Sequence, residues 1–176
     1  MKVNFFKKNV SKRATAVGLV TAMLMLSACA LGGKVDELDF GDKDFRSSNI
    51  GDPYDSVKSS ENMELTKELT SENTGELLKE NEKAVYYEGQ IDGKDVKVIY
   101  YFIDDKLDNA MIIFNNCPDR DKYMAGIVDQ YEKKYGESGT YKGSYVWYSG
   151  DNVRMIYTSG DKLYISMGNA TTLLDS

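Results

Sequence analysis

The chain of 176 residues contains two cysteines, Cys29 and Cys117, and no histidine. A thiol or hydroxyl becomes a nucleophile when a base, commonly an imidazole, takes its proton. Neither cysteine has that base here, and no Ser-His-Asp set is available. There is no Gly-x-Ser-x-Gly elbow, and no motif points to a Ser-Lys pair. Zinc and copper sites draw on imidazole and thiolate, so this composition excludes them. Asp104, Asp105, Asp108 and Asn109 cluster at one turn, and Asp119 and Asp121 at another. Their spacing lacks the alternating ligands, the glycine and the distal glutamate of a calcium loop, so they read as solvated turn acids. No Gly-rich segment joins a strand to a helix, as a phosphate loop requires. The expectation is a protein with no catalytic set, no metal and no cofactor.

Aromatic side chains are what the chain has in supply, with thirteen tyrosines and one tryptophan. The stretch TYKGSYVWYSG holds Tyr141, Tyr145, Trp147 and Tyr148. On a strand, Tyr145 and Trp147 share one face and Val146 and Tyr148 the other. An exposed Tyr145/Trp147 face would stack on a sugar ring or anchor a protein partner. A buried one would be plain core.

The chain opens with Lys2, Lys7, Lys8, Lys12 and Arg13 and has no charge from Ala14 to Gly33. A basic start, an apolar run and small residues at its end mark a secretory signal. Leu26-Ser27-Ala28-Cys29 then resembles the lipobox of bacterial lipoproteins, whose pattern is an aliphatic residue, a small one, Ala or Gly, and Cys. All four positions match. The resemblance implies diacylglycerol in thioether linkage on Cys29 and cleavage before it. Residues 1–28 would be the signal peptide, and residues 29–44 the lipidated cysteine and a polar tether. Two acyl chains anchor a protein stably, at about 0.8 kcal/mol per buried methylene. An uncleaved spanning helix, or cleavage elsewhere, would also place the folded part outside the cytoplasm.

The whole chain carries 22 basic and 28 acidic residues, a formal charge of −6. Losing the basic leader leaves a still more acidic body. Such a body is repelled by nucleic acid and by anionic headgroups, so nucleic acid is excluded as a partner. Contact with the membrane would run through the lipid on Cys29. With Cys29 lipidated, Cys117 has no partner for a disulfide and reads as a small buried residue at a helix start.

Residues 45–176 have the length of a single domain. Asp52, Pro53 and Asp55 open a short helix over 53–61. Residues 62–83 admit a strand edge or a helical stripe. Period-two patterns follow at 84–88, 96–103 and 109–114, with Asp92-Gly93 as a hairpin turn. Both faces of 96–103 are apolar, so that strand should be central and covered on each side. Pro118 to Tyr135 reads as an amphipathic helix ended by Gly136. Its apolar stripe is Met124, Ile127, Val128 and Tyr131. Strands at 143–149, 152–158 and 161–168 follow, joined by Ser149-Gly-Asp151 and Ser159-Gly-Asp161, with one side open to water.

The segments NIGDPYDSVKSSE, YYFIDDKLDNAMIIF and YEKKYGE and the Trp-bearing hairpins resemble small lipoproteins of Gram-positive bacteria that have no assigned activity. This likeness covers nearly all of the chain after Cys29 and implies a similar α+β fold. The expected architecture is an antiparallel sheet built of two three-stranded meanders, each preceded by a helix, with the helices on one face. The expected role is a non-catalytic binding or interaction module at the cell envelope, on the extracytoplasmic face of the membrane, with a protein or saccharide partner. The alternatives are an envelope assembly factor and a hydrolase.

Overall fold

Eight antiparallel strands form one continuous sheet in the computed structural model, which describes residue 38 and residues 40–174. These fall within one compact unit, Gly32–Ser176. The signal peptide and Cys29 lie outside the described residues. Helix α1 (Tyr54–Ser60) leads into β1 (Glu64–Thr70). A helical turn, α2 (Ser71–Thr74), and a 3-10 turn follow, then the meander β2 (Glu82–Ile91), β3 (Lys94–Ile103) and β4 (Lys106–Phe114). Helix α3 (Arg120–Tyr135) carries the chain to β5 (Gly139–Tyr141), β6 (Ser144–Ser149), β7 (Asn152–Ser159) and β8 (Lys162–Asn169), and α4 (Ala170–Leu174) follows. The strand order is β1-β2-β3-β4-β8-β7-β6-β5.

This corrects the expected architecture. The fold is mostly β, one eight-stranded sheet with few short helices, and not an α+β arrangement of two three-stranded meanders. Strand β4 pairs along β8 from Asn109↔Gly168 to Phe114↔Leu163 and fuses them into a mostly-β fold. An unpaired edge of β4 buried beside Ile112 and Phe114 would leave backbone groups without partners, and β8 supplies them. Gly168 makes the join possible: any Cβ there would overlap Asn109 and the carbonyl of Asp108. Two further strands, β1 and β5, extend the sheet at its edges. The helices are not on one face either. Val57 of α1 and Ile127, Val128 and Tyr131 of α3 enter the main core. Leu173 and Leu174 of α4 pack on the opposite face, against Val146, Val153 and Met155.

The main core joins Val98, Tyr100 and Phe102 of β3 to Ala110, Ile112 and Phe114 of β4 and to Leu163, Ile165 and Met167 of β8. It also takes up Leu38 and Phe40, two residues of the segment read as tether. Phe40 packs 5.4 Å from the Phe45 ring, and Tyr131 donates to the Leu38 carbonyl at 3.4 Å. Arg154, only 5% exposed, lies over Tyr135 at 4.1 Å and donates to the Asp44 carbonyl at 2.6 Å. That clamp fixes the incoming segment to the sheet.

Glu61 closes α1. It accepts from Arg46 Nε at 2.9 Å, from Arg46 Nη2 at 3.0 Å and from the Tyr100 hydroxyl at 2.6 Å. Burial pushes its carboxyl up, but the hydrogen bonds from Arg46 and Tyr100 outweigh this and hold it below the ordinary 4.5. The ambiguous segment 62–83 supplies edge strand β1. Its charged residues Glu64, Lys67 and Glu68 blunt an edge that would otherwise recruit another chain.

Candidate functional site

The sheet has one covered and one half-open face. On the second, a cross-strand row runs Tyr86, Ile99, Met111, Ser166, Met155, Val146. A neighbouring row places Ile113, Tyr164 and Tyr157 side by side, and the Tyr157 and Tyr164 rings stack at 4.7 Å. Ile99, Tyr101, Ile103, Met111 and Ile113 are all half-buried. Strand β3 is thus interior to the sheet as its sequence implies, but covered by core on one face only.

A groove of about 210 Å³ opens on this face beneath α4. Met111, Met155, Tyr157, Leu173 and Leu174 line its body, and Tyr141, Lys142, Ser144 and Ser166 add polar atoms. Two local devices build it. At the β5–β6 hairpin, Lys142 and Gly143 both take positive φ, of 47° and 82°, so the turn folds tightly beside the groove. Such positions ordinarily take Asn, Asp or Gly. At the other side α4 turns back over the sheet. Asn169 Oδ1 accepts from the Thr171 N–H at 3.0 Å, and the Ala170 N–H reaches the Asp151 carbonyl at 2.9 Å. The Tyr141 hydroxyl donates to the Leu174 carbonyl at 3.3 Å and ties hairpin to helix.

Ser166 is the unusual member of the set. It is 1% exposed, and its Oγ is buried with no hydrogen-bond partner among the described residues. Leaving a hydroxyl in that condition costs about 1–3 kcal/mol. Burial, and then its neighbour Tyr164, push the Tyr157 hydroxyl above its ordinary value, so it stays a neutral donor.

The four aromatic residues singled out by sequence divide between the faces. Trp147 is 6% exposed and belongs to the main core, 5.6 Å from the Tyr131 ring, with Nε1 donating to the Gly136 carbonyl at 2.9 Å. Tyr145 is half-buried against the same core. Their shared face is therefore not open for stacking. Tyr148 and Tyr141 lie on the other face: Tyr148 is 60% exposed and Tyr141 lines the groove. Lys142, Ser166, Tyr157 and α4 escaped the sequence reading. The one signal for them is the register, which sets Ser166 between two methionines in an apolar row.

Protein donors meet acids at both turns, with Arg120 Nε donating to Asp121 at 3.1 Å in the second. Asp104 accepts from Asn81 at 3.0 Å, and Asp105 from Lys83 at 2.6 Å. Among the described residues no three His, Cys, Asp or Glu side chains converge as a metal site. Cys117 is buried at the start of α3, and burial raises its thiol. Tyr54, Lys58 and Glu68 form a second polar cluster, with Lys58 2.6 Å from Glu68 and 3.0 Å from the Tyr54 hydroxyl. Hydrogen bonds to Glu68 and Tyr54 hold Lys58 above its ordinary value, the opposite of what a nucleophilic amine needs. Among the described residues no helix is long and apolar enough to cross a membrane. No family model, curated protein or solved structure matches the chain.

Proposed function

We propose that the chain is a lipoprotein held at the extracytoplasmic face of the membrane through Cys29, and that its domain is a non-catalytic binding module. The leader and the Leu26-Ser27-Ala28-Cys29 motif support the anchor. The groove beneath α4, set in a half-open face rich in tyrosine and methionine, is the observation that supports binding. Lipid on Cys29 would hold the acidic domain close to the bilayer without electrostatic attraction to it. The test is metabolic labelling with an alkyne fatty acid. Label on the wild type that is lost in Cys29→Ser supports the anchor; a wild type without label refutes it.

A second reading is an envelope assembly factor that pairs through the free edge of β1. That edge is the observation that favours it, since an added strand would complete its backbone hydrogen bonds. Its charged residues weigh against it.

A further inference from the structure

Ser166 stands between Met111 and Met155 in the cross-strand row, at 1% exposure, with Oγ unpartnered among the described residues. A serine hydroxyl here is a cost to the domain alone, because an alanine would pack in the same row without it. The groove that Ser166 lines has apolar walls at Met111, Met155, Leu173 and Leu174, and polar groups at Tyr141, Lys142, Ser144 and Tyr157. Methionines are unbranched and adaptable, so a guest can part them and reach the hydroxyl. Its volume of about 210 Å³ is below the range of about 300–1,000 Å³ typical of sites for drug-sized ligands, which limits the guest to something small. At the rim, Lys142 brings an exposed cation on a turn residue whose φ of 47° favours glycine or asparagine.

From these observations we propose that the groove binds a small anionic amphiphile. Its apolar body lies between Met111, Met155, Leu173 and Leu174. A neutral acceptor on that body takes the Ser166 Oγ–H, and its carboxylate meets Lys142 at the rim. The inference rests on the reading of the domain as a binding module and supplies the ligand class.

The test uses the full lipid-anchored chain in nanodiscs, with empty nanodiscs as the blank. The probe is N-hexanoylglycine, which carries an apolar chain, an amide carbonyl and a carboxylate. N-hexanoylglycinamide lacks the charge, and nonanoate lacks the internal acceptor. Binding is followed by the methyl signals of Met111 and Met155. The expected result is saturable binding of the probe. Ser166→Ala should weaken it about fivefold while raising thermal stability, and should leave nonanoate affinity unchanged. Lys142→Gln should weaken it about threefold and leave the glycinamide unchanged. A merely structural serine would move stability and not affinity. No saturable binding, or equal affinity in the wild type and both variants, overturns the inference. Such a failure is distinct from failure of the anchor, because the same preparation reports lipid on Cys29 by mass.

Discussion

Ser166 carries the residue-scale argument, because a buried hydroxyl with no partner destabilises the fold it sits in. Ser166→Ala should therefore raise the unfolding free energy by about 1 kcal/mol, measured by denaturant titration. Loss of stability would mean that the hydroxyl is already satisfied. Glu61 gives the opposite case. Its folded-state carboxyl lies below the ordinary 4.5, so it adds stability above that value. That contribution is lost as pH falls through the folded-state value. Glu61→Ala should cost about 3 kcal/mol at neutral pH, since Arg46 and the Tyr100 hydroxyl lose their shared acceptor. It should also flatten the acid limb of the stability curve. Trp147 is the single tryptophan and is buried, so its emission reports unfolding of the whole sheet.

At the scale of elements, the fold turns on the β4–β8 seam and on α4. Gly168→Ala forces a Cβ onto Asn109 and should cost about 2 kcal/mol of stability, read by thermal melting. Leu173→Asp places a charge where α4 meets the sheet. It should open the groove and speed hydrogen exchange over β7 while leaving Trp147 emission unchanged. A shift in that emission would mean that α4 supports the core and is no separate cover.

Much of the element map was legible in the sequence, because its signals are local. Pro53 and Gly136 bracket helices, Asp92-Gly93 sets a hairpin, and period-two apolar runs give β2, β3, β4, β6, β7 and β8. The edge strand β1 was legible only as one of two options, because an edge needs no alternating apolar residues, and its Leu65 is itself exposed. Which strands join the meanders was not legible, because β4 and β8 are far apart in sequence and either could have been an edge. Helix α4 is five residues long, too short to leave a periodic pattern. The site followed the same logic. Composition drew attention to Tyr141, which lines the groove, and to Tyr148, which is not among its lining residues; Ser166 becomes notable only once pairing sets it between two methionines.

At the scale of the whole molecule, the proposed reading is an acidic domain carried by a lipid at one end. The covered face of the sheet holds the main core, and its half-open face carries the groove proposed to take a ligand. The lipid, not charge, would keep it at the membrane, so raising salt should not release it, whereas Cys29→Ser should appear in the soluble fraction or remain as unprocessed precursor. Release of the wild type by salt alone would point to attachment through a partner.

The most direct measurement is the mass of the N-terminal peptide of the protein isolated from its own membranes. The account predicts that this peptide begins at Cys29 and carries diacylglycerol on the sulfur. A peptide that begins at an unmodified Met1, or a mature end without lipid, would contradict it.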